Sequence, residues 1–361
     1  MEFGVFLPIA NNGWIMSRNS PQYMPTFELN KEITQIAEDI GFDFALSMVK
    51  WRGFGGETRH WDFALESMSL MSALAAVTSK IDLYASVQPL TMNPAVFAKM
   101  AATIDDVSGG RFGINIVSGW ARQEYDQLGV WPGDEFYDYR YDYAEEWVTI
   151  VKGLWANGRY THKGRFLSVD DCYGYPQPSR MLPIVCAGMS ERGIRFTVEN
   201  GDANFIGGQD LDTVTRLTNQ AKAMAAGLGK TVKTYGLYAI VYGETDDEAR
   251  AVHAHHQAGA DEGAREGWVK AATPDKNGAT ATMIRGASEQ SSTIREPYLM
   301  GSADTIAARI VEIQEKTPLD GMLFTFPDFV AGMTFFGEKV MPRLRERGLK
   351  RAAWNDQLLS V

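Results

Sequence analysis

Four stretches of this sequence end a short apolar run in side chains able to hold a ligand or move a proton. They are Ser47-Met48-Val49-Lys50-Trp51-Arg52; Ala85-Ser86-Val87-Gln88; Asn115-Ile116-Val117-Ser118-Gly119-Trp120, with Glu124 shortly after; and Ala187-Gly188-Met189-Ser190. Asn115 is a polar residue inside an otherwise apolar strand, and such a group finds partners or costs free energy. Its amide can serve a cofactor, an oxygen species or simply a structural network. Ser190 stands where a helix N-cap belongs, followed by Glu191-Arg192-Gly193. Its hydroxyl and the neighbouring N–H groups form either a plain cap or a seat for phosphate. Arg140 and Tyr141 open a helical pattern and can complete such a seat as an arginine fork with a phenol, a surface arginine being the plainer reading. Trp14, Trp51, Trp120 and Phe205 can wall a flat aromatic ligand or belong to the core.

Other chemistries lack their signatures. Three of the five histidines crowd at His253, His255 and His256. His253 and His256 share a helix face at i,i+3, but there is no HExxH, and the flanking residues read as a solvated helix face; no metal is expected. Residues 224–231 end in Gly229-Lys230-Thr231 like a phosphate loop, yet Met224 stands where its first glycine is required. A helix C-terminal glycine before a strand explains that stretch better. No GxGxxG follows the first strand and no GxSxG elbow occurs. Cys186 sits within an apolar run, the setting of an inert buried thiol. No carboxylate pair or nucleophile is evident. What remains is a site of shape, hydrogen bonds and dryness around a flat phosphorylated cofactor that carries the chemistry, and flavin mononucleotide (FMN) is the obvious candidate.

These residues need elements to position them. Apolar runs at 4–9, 42–48, 81–87, 112–117, 182–187, 203–206, 235–241 and 321–326 are rich in β-branched and aromatic residues, as strands buried on both faces should be. Helical patterns near 30–40, 62–78, 94–107, 138–156, 190–199, 211–226, 245–272 and 302–316 alternate with them, and 335–348 reads as a closing helix. Eight βα alternations without a clear linker predict an α/β fold, a (β/α)8 TIM barrel forming one domain over 1–361. Chemistry in that fold sits at the C-terminal ends of strands, where all four stretches fall. Segments 10–28, 158–183 and 273–297 exceed ordinary loop length, and the last two read as insertions.

Of the 361 residues, 35 are Lys or Arg and 45 are Asp or Glu, a net charge of −10 that argues against a nucleic-acid partner. No apolar stretch reaches the roughly 18 residues of a membrane helix. The first residues lack the basic start of a signal peptide. Two cysteines with no CxxC fit a reducing compartment, so a soluble cytoplasmic protein is the expectation.

Residues 3–14 (FGVFLPIANNGW), 42–56 (FDFALSMVKWRGFGG), 100–120 (MAATIDDVSGGRFGINIVSGW), 129–134 (GVWPGD), 140–143 (RYDY) and 186–190 (CAGMS) resemble the bacterial luciferase-like flavin monooxygenases, in particular the RutA-type pyrimidine monooxygenases. Further likeness lies at 21–30, 246–250, 258–261, 301–302 and 323–337. The resemblance implies a luciferase-like barrel with extended loops that binds FMN. Reduced FMN would come from a separate NADH-dependent flavin reductase. With O2 it would attack a ring carbonyl of uracil or thymine and cleave the ring amide toward a ureidoacrylate. A homo-oligomer is also implied. Carried over by motif, the FMN contacts are Val49, Lys50, Asn115, Glu124, Arg140, Tyr141 and Ser190. Asn115 and Ser86 would donate hydrogen bonds to charge developing on oxygen. Glu124 would orient the ring N–H, with Trp120, Ser118 and Phe205 bordering the substrate. Ser86 and Ser118 stand where threonines are expected in the pyrimidine enzymes, each keeping the hydroxyl and losing a methyl. The alternatives are another heterocyclic or aromatic substrate, deazaflavin-dependent hydride transfer, and flavin binding without catalysis.

Overall fold

The computed structural model describes residues 1–207, 210–275 and 298–349. In chain order its strands are β1 Glu2–Leu7, β2 Phe44–Ser47, β3 Asp82–Val87, β4 Phe112–Ile116, β5 Arg159–Lys163, β6 Ser168–Tyr173, β7 Ile184–Cys186, β8 Ala203–Ile206, β9 Lys233–Tyr242, β10 Tyr298–Gly301 and β11 Gly321–Thr325. Eight of these close into a parallel barrel in the order β1-β2-β3-β4-β7-β8-β9-β11. Glu2↔Gly321 pairs the last strand with the first, and Phe205↔Tyr235 lies in the β8–β9 joint. They are the eight apolar runs that the sequence predicts as strands. The helices are α1 Phe27–Ile40, α2 Ser67–Ala75, α3 Pro94–Ser108, α4 Arg122–Leu128, α5 Phe136–Asn157, α6 Glu191–Asn200, α7 Leu211–Gly227, α8 Asp246–Ala258, α9 Glu262–Ala272, α10 Ala303–Lys316, α11 Phe329–Phe335 and α12 Met341–Glu346. Among the described residues no helix is long and apolar enough to cross a membrane.

Side chains alternate along each strand, so the barrel has two apolar layers. Phe44, Leu46, Val185, Ala203, Phe205, Tyr235 and Leu323 fill the inside, with Phe6 and Tyr84 packed on them. Rings there need a neighbour without a side chain: a Cβ on Gly4 would strike the Phe44 ring, and one on Gly113 the Tyr84 ring. The outward layer meets the helices. Phe3, Phe42, Phe324 and Phe336 form a cluster of tilted and edge-on rings with centroids 5.2–6.3 Å apart, joining the first and last strands to the C-terminal helices. Helix starts follow from short polar side chains: Thr26, Asn93, Ser190, Asp210, Thr245, Asp261, Ser302 and Asp328 each accept a first-turn N–H.

Several elements differ from the sequence expectation. Segment 158–183 contains an antiparallel hairpin, β5 with β6, held to α5 by Glu146, whose carboxylate accepts from Arg165, Phe166 and Leu167 N–H groups. The single helix predicted over 245–272 is two, because at Asp261 the N–H turns away to Met16 O and the carboxylate caps α9. Within α8, His256 is buried rather than solvated, and Ser17 donates to its carbonyl at 2.6 Å. α4 is a short helix in the loop after β4 that no long period announces. β10 pairs with the second half of β9, beyond the part that pairs with β8. The closing helix starts at Phe329 and passes through a π-helical turn, Phe336–Val340, before Pro342, which has no N–H to donate. Segment 10–28 is tied down: Asn11 and Asn12 donate to Arg59 and Thr58 carbonyls at 3.0 and 2.8 Å, and Trp61 Nε1 donates to Gly13 O at 2.6 Å. The insertion predicted at 273–297 lies outside the described residues from 276 onward.

Candidate active site

The β3 and β4 ladders stand in register at Ser86↔Asn115, which places two polar side chains next to each other among apolar ones. Asn115 Nδ2 donates to Ser86 Oγ at 2.7 Å, and Ser86 Oγ donates onward to the Ser47 carbonyl at the end of β2. Ser86 N–H donates to Ser67 Oγ at 2.9 Å, which also meets Ser47 Oγ at 2.6 Å. Four residues from β2, α2, β3 and β4 thus form one buried polar chain. Asn115 is 5% exposed, and its Oδ1 is buried without a partner. The hydroxyl proton of Ser86 is committed to Ser47, so Ser86 acts through Asn115 rather than offering a donor of its own.

Past the end of β2, Lys50 swings under the β4 loop and forms an ion pair with Glu124, near the start of α4, with both side chains 3% exposed. The other carboxylate oxygen of Glu124 accepts Trp51 N–H at 3.1 Å. The Lys50 ammonium stands 4.4 Å from the Phe54 ring centroid, 5.4 Å from Trp120 and 5.8 Å from Trp61, an aromatic box with one carboxylate wall. α4 can approach because Gly119, at φ +88°, has no Cβ to meet the Tyr125 hydroxyl. Burial, then the charge of Glu124, push the Tyr125 phenol well above its ordinary value, so it stays neutral.

A second cluster lies where α5 crosses the start of α6. Ser190 caps α6 by accepting Gly193 N–H at 3.1 Å, and the Gly188 and Gly193 backbones pack so closely that a Cβ on Gly188 would come within 2.6 Å of Gly193. The Tyr141 hydroxyl sits at the same turn, 2.6 Å from where a Gly193 Cβ would be. The Arg140 guanidinium lies between the Tyr137 and Tyr141 rings at 5.7 and 5.5 Å. Its Nη1 donates to Gly119 O at 3.0 Å and to Asp275 Oδ2 at 2.7 Å, while Nε is buried without a partner. Burial and the Asp275 charge, opposed by Arg140, push the Tyr137 phenol up to about 12. The Tyr141 hydroxyl, the Ser190 cap and the α6 N-terminus meet here with the Arg140 guanidinium against the Tyr141 ring, and such a set suits a phosphate.

The structure thus groups Ser86 with Asn115, Lys50 with Glu124 and Trp120, and Tyr141 with the turn that Ser190 caps, Arg140 lying against the Tyr141 ring. Val49 and Ser118 are half-buried on the strand-end loops beside these groups. Phe205 does not join them; its side chain belongs to the barrel filling, 5.6 Å from the Tyr235 ring. Trp14 packs on Phe6 and Trp61 at 4.2 and 5.0 Å as part of the core. Burial pushes the Cys186 thiol up to about 12, matching an inert role. Among the described residues no three metal-ligating side chains converge. Ser67, Phe54, Trp61 and Asp275 escaped sequence reasoning, whereas Ser47 opened one of the strand-end stretches it singled out. Ser67 carried a usable signal, since Glu66-Ser67 marks a helix start between two strands.

Comparison with known proteins places this chain in a family. The family model described as luciferase-like monooxygenase matches residues 1–319. A curated relative, pyrimidine monooxygenase RutA of Klebsiella pneumoniae (strain 342), is 46% identical over 352 residues, covering 96% of this chain and 97% of the relative. Among solved structures, a riboflavin lyase (RcaE) with modified FMN and riboflavin superposes with a TM-score of 0.86 at 23% identity, covering 100% of this chain and 96% of that one. EDTA monooxygenase (EmoA) from Chelativorans sp. BNC1 gives 0.82 at 19% identity, covering 99% and 98%. These two show the fold alone. The chain belongs to the luciferase-like monooxygenase family.

Proposed function

We propose that this chain is an FMN-dependent pyrimidine monooxygenase that takes reduced FMN from a separate NADH-dependent reductase and uses O2 to open the ring amide of uracil or thymine. The observation that carries the reading is the 46% identity, over 96% of the chain, to curated pyrimidine monooxygenases, in a fold that keeps both polar clusters at the strand ends. The residues present fit the cofactor. Arg140 Nε and Asn115 Oδ1 are buried polar atoms awaiting partners, and the α6 N-terminus carries the Ser190 cap beside the Tyr141 hydroxyl. When bound, the flavin supplies the electrons that activate O2.

The chain's own residues bind, orient and keep the site dry. Arg140, Tyr141 and Ser190 hold the phosphate end. Lys50 contributes a buried positive charge whose position Glu124 fixes, and Phe54, Trp61 and Trp120 exclude water around it. Asn115 presents its amide where the strands end, oriented by Ser86. Two unbonded cysteines and a reductase that draws on NADH support a cytoplasmic setting.

The test is product mass after incubation with labelled O2, FMN, NADH and a flavin reductase. Label in a ring-opened product of uracil is the expected result. If uracil stays intact while another N-heterocycle takes up label, the pyrimidine assignment falls.

A further inference from the structure

The Asn115 amide is locked in one orientation. Ser86 Oγ has a single proton and gives it to the Ser47 carbonyl, which can only accept. The atom of Asn115 that faces Ser86 must therefore be a donor, and it is Nδ2, at 2.7 Å. A flipped amide would set two acceptors against each other between buried residues. Oδ1 is thereby turned away from the network, buried and without a partner. Gln88 Oε1 and Thr325 Oγ1 are also buried without partners, but a hydroxyl can either donate or accept. No hydrogen bond among the described residues fixes the Gln88 amide. Neighbours also fix the Asn204 amide on β8, but both of its ends are bonded, whereas Asn115 has a set polarity and an unpartnered oxygen.

A locked acceptor discriminates between ligands that differ by one N–H. Two-electron reduction of a flavin places a proton on N5 of the ring, turning that atom from acceptor to donor. We propose that Asn115, fixed as an acceptor by Ser86, reads the oxidation state of the cofactor by taking the N5–H that only the reduced ring carries. This rests on the flavin assignment above and adds selectivity to it. An oxidised ring would leave Oδ1 unsatisfied and facing a lone pair, whereas the reduced ring satisfies both groups. Ser86 is a positioning residue in this scheme; its hydroxyl never touches the flavin. The oxidised flavin would then be held more weakly than the reduced form.

The experiment is anaerobic titration of the full-length protein with oxidised and with dithionite-reduced FMN, followed by flavin absorbance and protein fluorescence, and a potentiometric titration of the bound flavin. The wild type should bind reduced FMN about tenfold more tightly, the effect of one buried hydrogen bond gained against one acceptor left bare. That ratio corresponds to a two-electron midpoint potential raised by about 30 mV over free flavin. Ser86→Ala should shrink the preference about fivefold by releasing the amide to flip. Ser86→Thr should keep it, and Asn115→Leu should abolish it while oxidised FMN still binds. If Ser86→Ala and Asn115→Leu both keep the wild-type ratio and potential, the inference is wrong although the flavin assignment stands. Equal weakening of both oxidation states would mean that Oδ1 meets a group common to both, such as N3–H, and would overturn it too. Failure of the wild type to bind either form would remove the flavin assignment, and this inference with it.

Discussion

At the scale of single residues, the buried Lys50–Glu124 pair sets the terms for everything around it. Two charges that are 3% exposed are tolerated because each has the other, Trp51 N–H serves the carboxylate and three rings face the ammonium. Glu124→Leu leaves an ammonium buried without its counter-charge and should cost about 3–5 kcal/mol of unfolding free energy. The double variant Lys50→Met with Glu124→Leu should recover more than half of that loss, measured by urea denaturation. Equal instability of the single and double variants would mean that packing, not charge pairing, governs the position. Both residues were legible in the sequence as strand-end polar groups, but their partnership was not. They lie 74 residues apart, and only the turn at Gly119 brings α4 beneath β2. Asn115 and Ser86 pose the same difficulty in milder form, since their contact depends on the β3–β4 register.

At the scale of elements, Asp261 does the work that the sequence pattern hid. Residues 245–272 carry a nearly unbroken helical period, and periodicity alone cannot show that one carboxylate is wanted elsewhere. Asp261 caps α9 through Ala264 N–H at 3.0 Å and holds the 53–63 loop through the N–H and hydroxyl of Thr58, both at 2.7 Å. Burial opposes ionisation of this carboxyl, and the Thr58 and Ala264 hydrogen bonds outweigh it, so its pKa lies below the ordinary aspartate value. A depressed carboxyl stabilises fully at neutral pH and loses that contribution as pH falls through its folded value. Asp261→Ala should therefore cost about 1–2 kcal/mol at pH 7, with the gap to wild type narrowing below about pH 4. A gap of constant size across that range would show that the charge is irrelevant. The hairpin of β5 and β6 was hidden for another reason. Its strands are exposed on alternate residues and carry charge, so they lack the apolar runs that marked the barrel strands.

At the scale of the whole molecule, the barrel was readable because parallel strands buried on both faces leave long apolar signatures, and all eight did so. Closure is a global property, and the Phe3, Phe42, Phe324 and Phe336 cluster ties the first strand, the last strand and the C-terminal helices together. Phe336→Ala should lower unfolding free energy by about 3–5 kcal/mol in urea titrations, yet leave the FMN affinity of the folded protein unchanged. A parallel drop in affinity would show that the cluster shapes the strand-end mouth as well. The aromatic box has a consequence for how the arrival of flavin can be watched. Indole emission overlaps flavin absorption, and Trp61 and Trp120 stand 5.8 and 5.4 Å from the Lys50 ammonium. An arriving isoalloxazine would darken both indoles by resonance energy transfer. The chain therefore carries its own optical clock for flavin binding, readable in a stopped-flow instrument without dye or label.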